Sequence, residues 1–466
     1  MNQTLTKKLN PILPFAALPL LLVALLMLLT DTTSAPYREV HSENGVWDLR
    51  DFDFENYNAR LTGDVVYIPN ALLTPEEFAA RSGEVILGNT ANINFLTSRV
   101  LILVPNDMWY SFTRDSILHS HRQYVNGLWI EEAQRGSPGH NRQSEIAGEG
   151  KITFTARPVR AVDDGYMIEL VQQSSSFVHS RNDHHMGWLI GEGAGLIAES
   201  RAMDFQRGIT MGFFFLLFLL FLMMYFMLQR NRAALYFSLF CLMWLLRMGT
   251  TGVWAFSVLM PWMDWSVKFR INYIAIPAAA ILSLAIIDVL FPKTLHKIVL
   301  RINYIFSAVF IALYLFADTV FMSNALLVSY VIFGLTILYI LVSFIFKVRN
   351  TQFGQKVFII GMVFFLFATI SDFFHFSFDF VIMPFEMTGI GMLIFALCMA
   401  AAVFVATMRE VEKAKENENR LAAENAMLDH EKRFREDVMA TVSHELRTPL
   451  TVMSVYAEMA VAEIKG

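Results

Sequence analysis

The feature that most constrains this chain is a series of seven apolar stretches in its second half. They cover residues 209–228, 233–256, 271–291, 299–321, 323–347, 355–378 and 383–408. Each approaches the ~20 residues that an α-helix needs to cross ~30 Å of hydrocarbon. Because lipid offers no hydrogen-bond partners to a backbone, such segments must be helical. The sequence therefore predicts a multi-domain membrane protein in which residues 208–408 form a seven-helix transmembrane bundle.

The distribution of basic residues predicts the side of the membrane on which each connection lies. The first, third and fifth connections and the segment after the last stretch carry Arg230, Arg232, Lys293, Lys297, Arg301, Lys347, Arg349, Lys356 and Arg409. The second connection has only Lys268 and Arg270, and the fourth and sixth have no basic residue. Since Lys and Arg are enriched in cytoplasmic connections, we expect the C-terminus in the cytoplasm and the residues before the bundle on the opposite side of the membrane.

The N-terminal segment, residues 1–35, agrees with this orientation. Lys7 and Lys8 precede an apolar run over residues 12–29, which is followed by small polar residues. This pattern is typical of an export signal. Pro36 disfavours cleavage directly before it, so a signal peptide and an uncleaved anchor both remain open.

Residues 36–207 contain no stretch long enough to span a bilayer. They show short β-type segments at residues 65–68, 100–104, 151–155 and 166–171, and turn sequences at 126–127, 137–139 and 163–165. Thr74 followed by Pro75 predicts the start of a short helix. Many short strands separated by turns predict an extracytoplasmic β-sandwich of the jelly-roll type. The two cysteines, Cys241 and Cys398, lie in apolar stretches, so no disulfide or Cys-based zinc site is expected here.

Two sets of residues in this region allow more than one interpretation. The histidines could form a metal or pH sensor, but they lack Cys or carboxylate partners at ligand spacing; we therefore expect solvated loop residues and no metal. They are His119, His121, His179, His184 and His185. The aromatic residues could line a sugar site, although we expect most of them in the sandwich core. They are Trp47, Trp109, Tyr110, Trp129 and Trp188.

Four ionisable residues fall within the apolar stretches: Arg247, Asp288, Asp372 and His375. Such residues usually face the interior of a bundle. A polar relay and a proton or ion path are both open, but we favour structural pairing, for example of Arg247 with Asp372. A transporter would more often show broken helices in paired halves, and Pro277 alone does not provide that pattern.

Residues 409–433 are rich in charged and amide side chains and lack Pro and Gly. Val411, Ala414, Leu421 and Leu428 follow the a and d spacing of a heptad repeat, and Glu418 and Asn425 occupy the intervening a positions. This spacing predicts a parallel coiled-coil linker, in which a polar a-position residue favours a dimer. A single solvated helix is the alternative.

Residues 434–466 contain the most specific chemistry, in the string Ser-His-Glu-Leu-Arg-Thr-Pro-Leu at positions 443–450. The imidazole of His444 can attack a phosphorus atom, and the adjacent carboxylate of Glu445 can take its proton. Thr448 lies one helical turn further along the same face. Pro449 cannot donate a backbone hydrogen bond and should bend the helix after the site.

This string resembles the H-box of sensor histidine kinases. The resemblance implies that His444 is the phosphoacceptor, Glu445 the general base and Thr448 a residue that assists the phosphatase reaction. It further implies a homodimer built through an all-α dimerisation domain, of which residues 434–466 form part. ATP with Mg would be the phosphoryl donor, and the receiver domain of a response regulator the partner.

The rest of the chain resembles the bacterial seven-transmembrane receptors with diverse intracellular signalling modules. The resemblance rests on residues 72–78, 124–127, 168–171, 245–247, 290–292 and 372–375. It implies that the exported jelly roll is similar to carbohydrate-binding modules and that its ligand is carbohydrate-like.

Together these features predict a two-component sensor histidine kinase in which the exported domain and the bundle control phosphorylation of His444. We expect the ATP-binding domain to lie outside these 466 residues and the sequence to be a fragment. A non-catalytic receptor or phosphorelay decoy is the alternative, and a transporter is a weaker one. A nucleic-acid partner is not expected, because no basic patch is evident; the net charge of −5 is small and says little about partners.

Overall fold

A computed structural model of the chain describes residues 36–464 except 91–92, 118, 149, 180–186, 228–230, 252–254, 293, 348–352 and 379–387. The export segment expected at residues 1–35 therefore lies outside the described residues. The chain divides into two compact units, Met1–Phe404 and Val405–Gly466. The first unit contains a β-sandwich and a helical bundle, and the second is helical.

The β-sandwich is built from two sheets. Its strands are β1 Tyr37–His41, β2 Val46–Asp48, β3 Asn58–Thr62, β4 Val65–Pro69, β5 Ile86–Gly88, β6 Phe95–Val104, β7 Tyr110–Ile117, β8 Ser120–Val125, β9 Leu128–Arg135, β10 Gly150–Ala156, β11 Arg160–Val162, β12 Gly165–Ser175 and β13 Leu189–Glu192. One sheet has the order β1-β3-β13-β7-β10. The other has the order β5-β4-β6-β12-β8-β9, with β2 beside β6 and β11 beside β12.

Apolar side chains of both sheets share one core. Phe112 and Phe154 of the first sheet stack with ring centroids 5.1 Å apart. They lie in the same buried cluster as Ile102 and Ile168 of the second sheet. Two sheets packed over a common core confirm the predicted β-sandwich.

In the sandwich, the segments predicted as strands, as a short helix and as a hairpin turn adopt those structures. The four β-type segments lie in β4, β6, β10 and β12. Helix α1, Pro75–Ala80, begins with a capping box, because Thr74 Oγ1 accepts from Glu77 N while Glu77 Oε2 accepts from Thr74 N. The β8–β9 hairpin turns at Asn126 and Gly127, whose φ angles are 50° and 82°. This left-handed pair is the one that Asn-Gly favours in a two-residue hairpin loop.

The expectation that the histidines are solvated is wrong for those that the structure describes. His119, His121 and His179 are only 4%, 0% and 4% exposed. Strand β8 directs His121 into the sandwich, where its ring centroid lies 6.2 Å from that of Trp188 and its Nε2 lies 3.2 Å from Gln123 Oε1. His184 and His185 lie outside the described residues.

The aromatic residues divide between the core and the surface. Trp47, Tyr110 and Trp188 are buried in the sandwich core, as expected for most of the set. Trp109 and Trp129 are about half exposed, at 56% and 52%. These two side chains are therefore surface features of the sandwich.

The helical bundle accounts for the apolar half of the chain. Its helices are α2 Gly195–Met227, α3 Arg232–Thr250, α4 Ala255–Leu259, α5 Trp265–Leu290, α6 Lys297–Phe316, α7 Thr319–Lys347, α8 Phe353–Phe378 and α9 Thr388–Ile464. Among the described residues, six helices are long and apolar enough to cross a membrane, and α8 contributes a shorter apolar stretch, Lys356–Ser371. The predicted helical membrane region is thereby confirmed, and the protein is a multi-pass membrane protein.

The start of the last helix packs in the middle of the bundle. The ring of Phe395 in α9 lies 6.1 Å from that of Phe240 in α3 and 5.8 and 5.5 Å from those of Phe358 and Phe365 in α8. Helix α9 is therefore held on two sides before it leaves the bundle.

Among the described residues, the intramembrane arginine hydrogen-bonds to an asparagine of the neighbouring helix α5. Arg247 Nη1 donates to Asn272 Oδ1 at 2.7 Å and to Asn272 O at 3.3 Å. The side chains of Asp372 and His375 lie outside the described residues, so pairing of Arg247 with Asp372 stays a prediction. Asp288 is exposed on the surface of α5.

Among the described residues, contacts between the sandwich and the bundle include two that involve α2 and the α6–α7 connection, as well as a ring contact between His179 and Phe269 of α5, whose centroids lie 5.7 Å apart. The first turns of α2 pack on the sandwich through Leu196, and Lys151 Nζ lies 3.9 Å from Asp204 Oδ1. The connection between α6 and α7 makes the second contact, since Arg142 pairs with Asp318 and Thr319 Oγ1 donates to Val178 O at 2.7 Å.

Candidate functional site

The predicted phosphoacceptor residue lies on an exposed part of α9. From Met408 to Val461 the side chains that the structure describes are exposed. Ion pairs at i,i+4 spacing support this helix: Arg420 with Glu424 at 3.1 Å and Arg435 with Glu431 at 2.7 Å. Each contributes about 0.3–0.5 kcal/mol at most, because both partners are solvated.

An apolar stripe runs along this part of the helix. Val438, Val442, Leu446 and Leu450 follow one another at intervals of four residues and are 43%, 44%, 56% and 59% exposed. His444 is two positions from both Val442 and Leu446, which places it about 200° around the helix from them. The imidazole therefore projects from the face opposite to the stripe.

The stripe continues the heptad frame of the preceding linker. Counting in sevens from Val411 places Leu446 at an a position, and counting from Ala414 places Val442 at a d position. In the same frame His444 falls at f, the position that is farthest from the seam of a coiled coil. Packing of the stripe against another helix would therefore leave the imidazole in solvent.

The neighbours of His444 lie where the string predicts them. Thr448 follows one turn later, and its Oγ1 donates to His444 O at 3.4 Å. Pro449 lies inside α9 and has no backbone N–H to offer to the carbonyl of Glu445. The helix thus carries an imidazole, a carboxylate and a hydroxyl within five residues.

The structure also brings together residues to which the sequence assigned no role in binding. Glu145, Trp262 and Lys268 lie around a cavity of about 520 Å³ between the sandwich and the bundle. Neither a motif nor a periodic pattern relates Glu145 to the segment near Lys268, because they are more than a hundred residues apart. Elsewhere in the described part of the chain, no group of three or more His, Cys, Asp or Glu side chains is placed to hold a metal ion.

Comparison with known families gives two matches. The model of the family described as 7TM diverse intracellular signalling matches residues 204–404. The model of the His Kinase A (phospho-acceptor) domain matches residues 434–465, which include His444 and its neighbours. The comparison with curated proteins gives no match. The matches confirm both resemblances, while the roles of the single residues remain predictions.

Proposed function

We propose that the chain is a sensor histidine kinase that carries a 7TM diverse intracellular signalling region, and that His444 receives a phosphoryl group from ATP and passes it to an aspartate of a response regulator. The exported sandwich and the bundle would control this transfer.

The main support for the proposal is that His444 is exposed on the face of α9 opposite to the apolar stripe. A phosphoacceptor must be reached by two different domains, the one that holds ATP and the receiver that accepts the group. Both need an open approach to the imidazole. The face of α9 that bears His444 offers that approach even when the stripe of Val438, Val442, Leu446 and Leu450 is covered.

The neighbouring side chains would divide the chemistry among them. An imidazole nitrogen of His444 is the nucleophile, and the carboxylate of Glu445 takes the proton that leaves the ring. The hydroxyl of Thr448, which donates to the His444 carbonyl, orients a water molecule in the phosphatase reaction, in which the water attacks phosphorus, the bond to the phosphoryl group breaks and inorganic phosphate is released. Pro449 breaks the hydrogen-bond ladder just after the site, which lets the helix bend there.

Mg-ATP would supply the γ-phosphoryl group. The exposed helix around His444 has the chemistry of an acceptor and not of a phosphate cradle, since residues 434–464 are helical and lack a glycine-rich loop. We therefore assign nucleotide binding to a domain other than the elements described above.

The proposal includes a homodimer in the bacterial inner membrane, with the sandwich outside and His444 in the cytoplasm. The seam of the linker and the apolar stripe would be covered by the same helix of a second copy. An extracytoplasmic ligand would change the equilibrium between two states of the dimer, for which it must bind one state more tightly than the other.

The test is phosphorylation of the protein in membranes from cells that express its native gene. With labelled ATP and Mg²⁺ we expect acid-labile, base-stable label in the wild type and none in His444→Gln. His430→Gln is the matched control, because His430 is also an exposed histidine of α9 and should leave labelling unchanged. Label that survives in His444→Gln would refute the assignment, and a wild type that takes no label would favour a non-catalytic receptor.

A further inference from the structure

Two arginines lie on the outer face of the second sheet, on either side of strand β12. Arg99 of β6 pairs in register with Val171, and Arg122 of β8 pairs with Gln173, two residues further along β12. Both arginines face outward, because the residue after Arg99 and the residue before Arg122 are buried inside the sandwich and successive strand residues face opposite sides. Two strand spacings across the sheet and two residues along it put their α-carbons about 12 Å apart, which a small molecule held between the two long side chains can bridge.

Neither guanidinium has a carboxylate partner in the part of the chain that the structure describes. The Nε atoms of Arg99 and Arg122 are buried and make no hydrogen bond within that part. Glu169 of β12 lies on the same face but forms an ion pair with neither of them among the described residues. Arg157 of the same domain, by contrast, pairs with Asp107 at 2.8 Å. A cationic donor that has lost water without gaining an acceptor is unfavourable, so the two side chains favour the approach of an anion.

Aromatic rings hold both guanidiniums in place. The Cζ atom of Arg99 lies 5.5 Å from the centroid of the Phe78 ring, and that of Arg122 lies 5.9 Å from the centroid of the Trp129 ring. Phe78 is buried, whereas Trp129 is 52% exposed and pairs with Tyr124 across the β8–β9 hairpin. A ring attracts a guanidinium through its face, which leaves the N–H groups in the guanidinium plane available to an anion. The open part of the Trp129 indole can receive the carbon chain of a ligand.

We propose that this face of the sandwich binds a small dicarboxylate. One carboxylate would meet the guanidinium of Arg99 and the other that of Arg122, since the planar N–H fork of arginine matches a carboxylate through two parallel hydrogen bonds. The carbon chain between them would lie beside Trp129. A neutral sugar would leave both cations without a counter-charge, and a monocarboxylate would serve only one of them. Only the role of the dicarboxylate as a signal to His444 rests on the proposed function.

The test is calorimetric titration of the full chain in lipid nanodiscs with succinate, adipate and suberate, whose carboxylates are progressively farther apart. Acetate, inorganic phosphate and glucose are the contrasting probes. We expect saturable binding of at least one of the three dicarboxylates, about tenfold or more tighter than that of acetate. Arg99→Gln and Arg122→Gln should each weaken it by about tenfold or more, and Arg122→Lys should not restore it fully, because an ammonium keeps the charge and loses the fork.

Two residues of the first-sheet side provide matched controls. Arg38 of β1 also lies over a ring, with its Cζ atom 3.6 Å from the centroid of Tyr57, and Trp109 is 56% exposed. Arg38→Gln and Trp109→Ala should therefore bind as the wild type does. Trp129→Ala should weaken binding, and it guards against misfolding of the arginine variants, since its half-exposed side chain lies outside the core.

The outcomes separate the parts of the proposal. Equal affinity for acetate and the dicarboxylates would overturn the bridge between the two arginines, and binding of phosphate or glucose in place of dicarboxylates would overturn the ligand class. Unchanged binding in Arg99→Gln, Arg122→Gln and Trp129→Ala would overturn the location. Absent binding of all three dicarboxylates with normal labelling of His444 refutes this inference alone, and binding without labelling refutes the proposed function alone.

Discussion

Thr448 is one of several threonines of α9 that hydrogen-bond to the backbone one turn earlier, and its place beside His444 distinguishes it. Thr451 makes the same kind of bond, from Oγ1 to Arg447 O at 2.7 Å. We expect Thr448→Ala to leave phosphorylation of His444 intact and to slow the loss of the phosphoryl group by roughly tenfold, because no hydroxyl then orients water. The decay of acid-labile label measures this rate.

Thr451→Ala is the control for Thr448→Ala, since it removes the same back-bond without touching the site. Equal decay in the two variants would show that the hydroxyl of Thr448 has only a helical role. Slow phosphorylation in Thr448→Ala would instead indicate that Thr448 positions His444.

The residues of the candidate site differ in how far the sequence could predict them. The role of His444 can be predicted because the residues that define its chemistry are its neighbours in the chain and all lie within residues 443–450. His121 was expected in solvent, because its burial depends on Trp188 and Gln123 packing around it in the fold. Asp264 and Lys268 are brought near Glu145 only by the fold, around the cavity between the sandwich and the bundle, so no local sequence pattern relates them.

At the scale of elements, the linker in α9 is predicted to form a parallel dimer through its a and d positions. We expect Leu421→Cys, at d, to form a disulfide between two copies, and Ala423→Cys, at f, to form none, because f side chains of paired helices point apart. Both variants are made in a background in which Cys241 and Cys398 are replaced by Ala. Non-reducing gel electrophoresis of oxidised membranes measures the product. Similar cross-linking at both positions would favour the single solvated helix.

The connection between α6 and α7 provides a pH-dependent contact with the sandwich. The guanidinium of Arg142 hydrogen-bonds the carboxylate of Asp318 and holds the pKa of that carboxyl below its usual value. A carboxyl whose pKa is lowered by folding stabilises the folded contact above its unfolded pKa of about 3.9, and this stabilisation is lost as the pH falls through the folded pKa. Both side chains are about half exposed, so the pair contributes at most about 1 kcal/mol.

We therefore expect hydrogen exchange in residues 136–147 of the wild type to rise, relative to the rest of the sandwich, as the pH falls below about 4. Arg142→Ala should raise exchange at pH 7 and remove most of the pH dependence. Arg157→Ala is the control, since Arg157 forms an exposed ion pair at 2.8 Å with Asp107, which belongs to the sandwich itself. A pH response that persists in Arg142→Ala would assign it to other carboxylates.

Strands and membrane helices with an apolar pattern were predicted, and strand β8, which lacks such a pattern, was not. The membrane helices and strands β4, β6, β10 and β12 are marked by continuous or alternating apolar residues. Strand β8 carries no such mark, because its inward residues His121 and Gln123 are polar and bond to each other and to the backbone of β12. A strand that buries polar side chains is recognised only from its neighbours in the sheet.

At the scale of the whole molecule, contacts connect the sandwich to the bundle and the bundle to the start of α9. The sandwich contacts the bundle through α2 and through the α6–α7 connection, and the bundle holds the start of α9 between α3 and α8 at Phe395. The same helix carries His444 in the second unit. Since α9 runs from the bundle to His444, we expect a movement of this helix along or about its axis to transmit a change in the bundle to the site.

A movement of α9 about its axis acts on His444 through the heptad phase, which sets the angle around the helix between the linker seam and the apolar stripe. Val411, Leu421 and Leu428 share one frame with Val442 and Leu446, so the linker seam and the stripe behind His444 face the same side. Insertion of seven residues after Glu424 nearly preserves this phase, whereas insertion of two rotates the stripe by about 200°. We expect labelling of His444 within about twofold of the wild type in the first variant and about tenfold lower in the second. Quantitative labelling in matched membranes measures both, and an equal response to the two insertions would mean that the linker transmits no rotation to His444.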